Sequence, residues 1–289
     1  MKIVQKLMFY TVSLIHQIYY FLINRLSSRG VNLDSDSEYS ISLTSYGKRI
    51  STVYLAIESL ARQSVAPLSI TLWLSKQDIS PEELPTTLVR LKNRGVDIKF
   101  VDENIRSYKK LYYEYKRTIG EVDYIMTVDD DVFYPSWLGK RALEYSNREL
   151  KTVVCFRSHI VEASDSGSLL PYTQWKMCKG TSMGQNDIFP TGVGGVLYPT
   201  GSLKGLDIQK QAFLDNAPHA DDVWFKVLAL KNGYTSTNVG HRLEHFYCVL
   251  SRQRKGLELI NVVEGRNDIQ LRSTMSYFEV DPSQFSNGE

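Results

Sequence analysis

Cysteine is scarce in this chain. Cys155, Cys178 and Cys248 are the only three in 289 residues, and none belongs to a C-x-x-C pair. That argues against a zinc ribbon or a thioredoxin-type motif, and an odd, sparse count fits a reducing compartment better than a disulfide framework. No Asn-x-Ser/Thr sequon occurs. Charge of one sign is also missing. The 34 basic and 32 acidic residues leave a net charge of +2, without the clustered basic excess of a nucleic-acid binder. Neither G-x-G-x-x-G nor a P-loop is present, and there is no internal repeat or low-complexity tract. No small-residue cleavage site follows the apolar N-terminus, so it does not read as a secretory signal. Tyrosine is plentiful at 18 residues, and aromatic rings with polar tips suit clefts for polar ligands.

The chain opens with an apolar segment, Leu7 to Ile23, broken by Ser13, His16 and Gln17. At about 100° per residue, Lys6, Ser13, Gln17 and Asn24 fall on one narrow stripe. Lys2, Lys6, Arg25 and Arg29 flank the segment and suit anionic headgroups. Three arrangements remain open: a helix lying in or on a membrane surface, a short spanning anchor, or a helix packed on the protein itself or on a partner. Residues 1–26 form this unit, residues 27–38 read as a linker, and residues 39–289 as one globular domain.

Within that domain, strand and helix signals alternate. Tyr39 to Thr44 reads as a strand, Thr52 to Gln63 as a helix, and Ser69 to Leu74 as a second strand. Ser80-Pro81-Glu82-Glu83 is a helix start with a serine cap and proline at the first position, for a helix reaching about Asn93. Val96 to Val101 is a third strand, ending in Asp102. A basic, tyrosine-rich helix spans Tyr108 to Ile119, and a fourth strand runs from Tyr124 to Val128. This alternation predicts an α/β fold with a mostly parallel central sheet, its first half (39–135) handling a nucleotide and its second half (136–289) an acceptor. Ser136 to Tyr145 reads as a helix, Thr152 to Arg157 as a strand, and Ser164 to Gly184 as a long loop.

The fourth strand ends in Asp129-Asp130-Asp131. If the extended conformation persists, Asp129 and Asp131 project to one side and Asp130 to the other. Two hard carboxylates at a strand's carboxyl end suit Mg²⁺ or Mn²⁺, and ligands of open α/β sheets bind outside those ends. The plainer alternative is an acidic turn with one aspartate capping the next helix. Further on, Asp221-Asp222 opens a helix that Gly233 ends. A helix N-terminus favours carboxylates, which accounts for one of the pair better than for both, so Asp222 is a candidate catalytic carboxylate. Lys109 and Lys110 are candidate diphosphate partners, and Arg157 a weaker one for acceptor or phosphate.

Taken in order, these residues resemble a nucleotide-sugar glycosyltransferase of the GT-A (Rossmann-like) fold, closest to the family-2-like enzymes of bacterial capsular and lipopolysaccharide synthesis. The likeness covers roughly residues 39 to 270. Ile41-Ser42-Leu43-Thr44-Ser45-Tyr46 is similar to the first strand and nucleoside-contacting loop, and Thr127-Val128-Asp129-Asp130-Asp131 to the DxD motif. Gly192-Val193-Gly194-Gly195-Val196-Leu197-Tyr198 resembles the acceptor-side glycine segment, and Ala220-Asp221-Asp222-Val223-Trp224 the motif that supplies the catalytic base. The resemblance implies donor contacts from Thr44, Tyr46, Asp102, Lys110, Asp129 and Asp130. It implies Mn²⁺ or Mg²⁺ held by Asp131 with Asp129, and a third ligand where His241 and His245 stand, His245 being the candidate. It also implies an acceptor side formed by Gly194, Gly195 and Trp224, and Asp222 as base with Asp221 as the alternative. Leu74-Ser75-Lys76-Gln77 stands where many such enzymes place an acid against the nucleobase, leaving Asp78 as the nearest acid and Asp102 for the base edge.

The expected reaction is inverting transfer from a UDP- or GDP-linked sugar to a glycan or lipid-linked acceptor. Its expected place is the cytoplasmic face of the inner membrane, with residues 1–26 meeting the membrane surface and no nucleic acid involved. Three other readings compete. A haloacid-dehalogenase-type phosphatase would use Asp129 as nucleophile and Asp131 as acid/base, a sugar nucleotidyltransferase would use the same metal-binding aspartates, and an inactive membrane-tethered scaffold would use none of them.

Overall fold

The structure is a computed structural model, and it describes residues 3–146, 151–240, 246–250 and 265–287. Helix α1 (Ile3–Leu26) is followed by β1 (Tyr39–Thr44), α2 (Val53–Leu60), β2 (Ile70–Ser75), α3 (Thr86–Asn93), β3 (Asp97–Val101), α4 (Lys109–Thr118) and β4 (Tyr124–Thr127). Then come β5 (Val132–Phe133), α5 (Leu138–Tyr145), β6 (Thr152–Cys155), β7 (Ser158–Ile160), β8 (Lys176–Met177), β9 (Ser182–Gln185), β10 (Ile188–Pro190) and β11 (Val196–Pro199). The chain continues with α6 (Lys210–Asn216), α7 (Asp221–Lys231), β12 (Thr235–Asn238), β13 (Tyr247–Cys248) and α8 (Arg266–Phe278).

The main sheet runs in the order β3-β2-β1-β4-β11-β6-β12-β9. Its first four strands are parallel neighbours, β11 is inserted antiparallel between β4 and β6, and β12 returns parallel to β6. Strands covered on both faces are expected to read as continuous apolar runs, and β2 and β4 are buried at every residue. Alternation along each strand then feeds two cores. Tyr124, Met126, Val154 and Leu197 join the layer containing α2, α3 and α5. Ile125, Val153, Cys155, Val196 and Tyr198 join the layer containing α4, α7 and α8. On β1, Tyr39, Ile41 and Leu43 point one way, while the small buried Ser40 and Ser42 take the other. The Ser42 hydroxyl donates to the Lys110 carbonyl, which ties the first turn of α4 to the sheet beside the carboxyl ends of β1 and β4.

The helix expected from Ser80 to Asn93 is two pieces. Pro81–Glu83 forms a single 3₁₀ turn with a capping box, and α3 starts afresh at Thr86. Pro85 causes the break, since proline disfavours a helical conformation at the residue before it and removes a donor. The long loop expected at 164–184 carries β8 and the start of β9, and β8 pairs with β7 in a small sheet with β10.

Helix α1 packs on the domain through its polar stripe. Ser13 is fully buried. Asn24 donates from Nδ2 to Glu58 Oε1 and to the Thr87 carbonyl, both at 3.0 Å, and Gln17 Oε1 accepts from the Leu250 N–H at 3.0 Å. His16 and Tyr20 rest on Phe133. Among the described residues, no helix is long and apolar enough to cross a membrane.

Candidate active site

The acidic triplet emerges at the carboxyl end of β4, but the strand has ended by Thr127, so simple alternation does not govern the three side chains. Asp130 turns inward and is 5% exposed. It accepts from the Ser45 hydroxyl at 2.6 Å and from Arg49 Nη1 at 2.7 Å. The other arm of the same guanidinium reaches Asp131 Oδ2 at 2.6 Å, so Arg49 spans adjacent carboxylates. Asp129 has a different partner, its Oδ1 meeting Lys110 Nζ at 3.2 Å. Its backbone N–H donates to the Tyr134 hydroxyl at 2.7 Å, which fixes the loop from below.

Lys110 joins the two acidic motifs. It is nearly buried and also lies 3.7 Å from Asp221 Oδ2. Burial pulls its pKa down, but Asp129, Asp221 and Asp222 outweigh that and hold it raised and charged. Lys109, one position earlier on the helix, points elsewhere and meets Asn104 Oδ1 at 2.8 Å and Asp78 Oδ2 at 3.6 Å. Successive helical residues diverge by about 100°, so only one of the two lysines can enter the site.

Asp222 stands at the N-terminus of α7. Its Oδ2 accepts the Gly192 N–H at 3.0 Å. A Cβ built on Gly192 would stand 3.2 Å from Lys110 Nζ, 3.5 Å from Asp129 Oδ1 and 3.5 Å from Asp222 Oδ1, so these groups surround one point and glycine leaves it open. Burial and then the neighbouring Asp221 charge raise the Asp222 carboxyl to about 7, against the lowering effect of Lys110 and the Gly192 hydrogen bond. Burial likewise lifts Asp130 to about 6 despite Arg49 and Ser45, and raises Asp131. A group poised near neutrality suits proton transfer.

The other expected residues divide. Tyr46 is 44% exposed on the rim, with the Arg49 guanidinium 5.8 Å from its ring centroid. Thr44 donates to the Trp73 carbonyl at 2.8 Å. Asp102 is 84% exposed at the end of β3 and pairs with Lys76, apart from the acidic centre. Gly194 and Gly195 take positive φ angles of 96° and 93° in the turn after Gly192, and the Gly195 N–H donates to the Gly192 carbonyl at 3.2 Å. Arg157 Nη1 contacts Thr191 Oγ1 at 3.4 Å. Trp224 requires correction as an acceptor-side residue. It is 0% exposed and packs on Phe278 and Tyr277, because two residues along a helix from Asp222 is about 200° around it. His241 and His245 lie outside the described residues.

The sequence did not point to Arg49, and within the segments it did point to, Ser45 and Gly192 were not singled out. The signal available for Arg49 was a basic residue in the loop immediately after the first strand. Among the described residues, no group of three or more His, Cys, Asp or Glu side chains is arranged to hold a metal. Asp129 and Asp131 still offer hard oxygen donors, and their side chains remain 25% and 38% exposed. With Asp130, Asp221 and Asp222 close by, Arg49 and Lys110 leave the centre negative. A divalent cation bound by one or two carboxylates plus phosphate oxygens fits that donor set.

No protein-family model matches this chain, and no curated protein matches it in sequence. Solved structures do resemble it in fold. The mannosyltransferase PcManGT from Pyrobaculum calidifontis, in complex with GDP-Man and Mn²⁺, aligns over 96% of this chain and 77% of its own at 11% identity, with a TM-score of 0.53. S. aureus TarS 1-349 with UDP-GlcNAc aligns over 86% of this chain and 73% of its own at 15% identity, with a TM-score of 0.51. The structure of TarS 1-349 alone aligns at 18% identity and a TM-score of 0.48 over 71% of this chain, which spans 58% of that one. The chain thus has the α/β, mostly parallel GT-A architecture of the first two of these structures.

Proposed function

We propose that this chain is a metal-dependent glycosyltransferase that moves a sugar from a nucleotide-sugar donor to a hydroxyl of a glycan or lipid-linked acceptor, with inversion at the anomeric carbon. The observation that carries this reading is the Asp222 carboxylate, held by the Gly192 N–H and facing the Asp129–Lys110 pair outside the sheet's carboxyl ends. That is where α/β sheets bind nucleotides. The ligands of the two neighbours, GDP-Man with Mn²⁺ and UDP-GlcNAc, support the same donor class.

The residues divide the work. Asp131 and Asp129 would hold a Mn²⁺ or Mg²⁺ ion, which supplies positive charge to the departing diphosphate. Lys110 adds a fixed cation beside it, kept charged by Asp129 and Asp221. Arg49 and Ser45 anchor Asp130 and so set the loop that presents its neighbours. Asp222 takes the acceptor proton. As the acceptor oxygen bonds to the anomeric carbon from the opposite face, the carbon–oxygen bond to the diphosphate breaks, and its electron pair leaves with the nucleoside diphosphate. Asp221 raises the basicity of Asp222 by like-charge proximity.

Nucleoside diphosphate release from UDP-, GDP-, CDP- and dTDP-sugars, with water or an added glycan as acceptor, tests this. Asp222→Asn is expected to bind donor as the parent does and to lose 10²- to 10⁴-fold in turnover, the range typical of a general base. Undiminished turnover in Asp222→Asn, or a covalent phosphate trapped on Asp129, contradicts the assignment.

A further inference from the structure

We propose that α1 docks this protein on an anionic phospholipid bilayer, lying along its surface with the side opposite the polar stripe in the lipid. This goes beyond the reaction assigned above and rests on the helix alone. A helix packed on a soluble domain ordinarily turns its apolar stripe inward and its polar side to water. Here the arrangement is reversed. Ser13, Gln17 and Asn24 face the domain, while Leu7, Met8, Ile15, Ile18, Leu22 and Leu26 are 67, 64, 58, 53, 45 and 76% exposed. Met8, Ile15, Ile18, Leu22 and Leu26 follow one another at seven-, three-, four- and four-residue steps, and with Leu7 beside Met8 they form one stripe along the outer side. At about 1.5 Å per residue, the 24 residues of α1 extend roughly 36 Å. Isolated exposed apolar residues need no explanation, but a contiguous patch of this length marks an interaction surface.

Charge selects the occupant. Helix α1 contains no acidic residue and carries Lys6 and Arg25. At its C-terminal end a cleft of about 480 Å³ is lined by Ser27, Arg29, Gly30, Arg62 and Arg94, together with Glu58. Arg94 is taken up by Glu58 at 2.5 Å. Arg62 lies 5.3 Å from the Tyr19 ring centroid, and Arg29 and Arg62 form no carboxylate ion pair among the described residues. An apolar stripe edged by unneutralised basic side chains matches acyl chains beneath anionic headgroups. A second copy on the same face would set these arginines against one another.

The docked helix is also close to the chemistry. Its His16 and Tyr20 pack on Phe133 of β5, which follows Asp131 directly, and the Val249 N–H beside β13 donates to the Asp131 carbonyl at 2.7 Å. The acidic loop is thus one packed layer from the proposed lipid surface, a placement suited to an acceptor carried on a lipid.

Co-sedimentation of the full chain with phosphatidylcholine vesicles, with and without phosphatidylglycerol, tests the proposal, alongside light scattering without vesicles. The chain is expected to sediment preferentially with the phosphatidylglycerol vesicles and to be monomeric without them. Ile15→Glu/Ile18→Glu/Leu22→Glu should lose at least tenfold in partitioning while keeping its melting temperature and donor turnover, because these side chains touch nothing in the site. If that variant does not fold, Arg25→Gln/Arg29→Gln/Arg62→Gln serves instead, with about a fivefold loss per charge confined to the anionic vesicles. A wild-type chain that stays in the supernatant with both vesicles overturns the proposal. So does vesicle binding unchanged in the variant that folds, or a dimer that the glutamates dissociate, since a second copy then covers the face. None of the overturning outcomes depends on catalysis, so their failure is distinct from failure of the transferase reading.

Discussion

At the scale of single residues, the site is governed by unequal burial of charge. Asp222 carries a folded-state pKa of about 7 against an ordinary value of 3.8. Between those pH values the native protein holds a proton that the unfolded chain releases. Its contribution to stability is therefore complete below the lower value and is lost as pH rises through the higher one. Two outcomes follow for Asp222. Turnover should rise with pH through about 7 in wild type, and Asp222→Asn should lose less of its melting temperature than wild type between about pH 5 and pH 8. Calorimetry at the two pH values checks the second. Lys226 presents the opposite sign. It is buried with Ser236 Oγ as its hydrogen-bond partner at 3.1 Å, and burial lowers its pKa from 10.5 to about 7. The unfolded chain binds the extra proton between those values, so this cost weakens as pH rises through the window. Lys226→Met should stabilise the fold at pH 6 and do so by less at pH 9, as chemical denaturation would show.

At the scale of elements, the attachment of α1 is polar and therefore brittle. Glu58 is fully buried, with Arg94 at 2.5 Å and the Asn24 amide at 3.0 Å on the same oxygen. Removing one partner of a buried ion pair leaves the other unpaired at a cost of about 3 kcal/mol. Glu58→Ala should therefore destabilise by about that amount and release the C-terminal half of α1 to faster hydrogen exchange. The same helix marks a boundary of what sequence conveys. Its polar stripe was legible from spacing alone, but the direction in which that stripe points depends on Glu58 and the Thr87 carbonyl, residues distant in the chain. Pro85 was legible as a breaker, yet the strong capping pattern at Ser80 masked it. The antiparallel β11 was read as a glycine segment, because a four-residue strand gains its identity from β4 and β6 on either side rather than from its own composition.

At the scale of the whole molecule, the presence of the first four strands, their mostly parallel sheet and the acidic strand end were readable in the sequence, because buried parallel strands leave long apolar runs and punctuated ends. Convergence was less readable. Arg49 lies 81 residues before Asp130 and Gly192 lies 30 before Asp222, and no local pattern joins either pair. Trp224 misled for the converse reason, since adjacency to Asp222 in sequence places it on the far side of α7. The proposed function requires this assembly to bind a nucleotide-sugar through the Asp129–Asp131 loop with a divalent cation. The most direct test is thermal unfolding of the full chain against UDP-, GDP-, CDP- and dTDP-sugars, each with and without Mn²⁺. A ligand that binds the native state adds roughly 2.7 kcal/mol at a hundredfold excess over Kd. Such a rise is expected with one nucleoside class, dependent on Mn²⁺ and absent in Asp131→Asn. A folded protein whose melting temperature moves with none of these donors would contradict the proposed function.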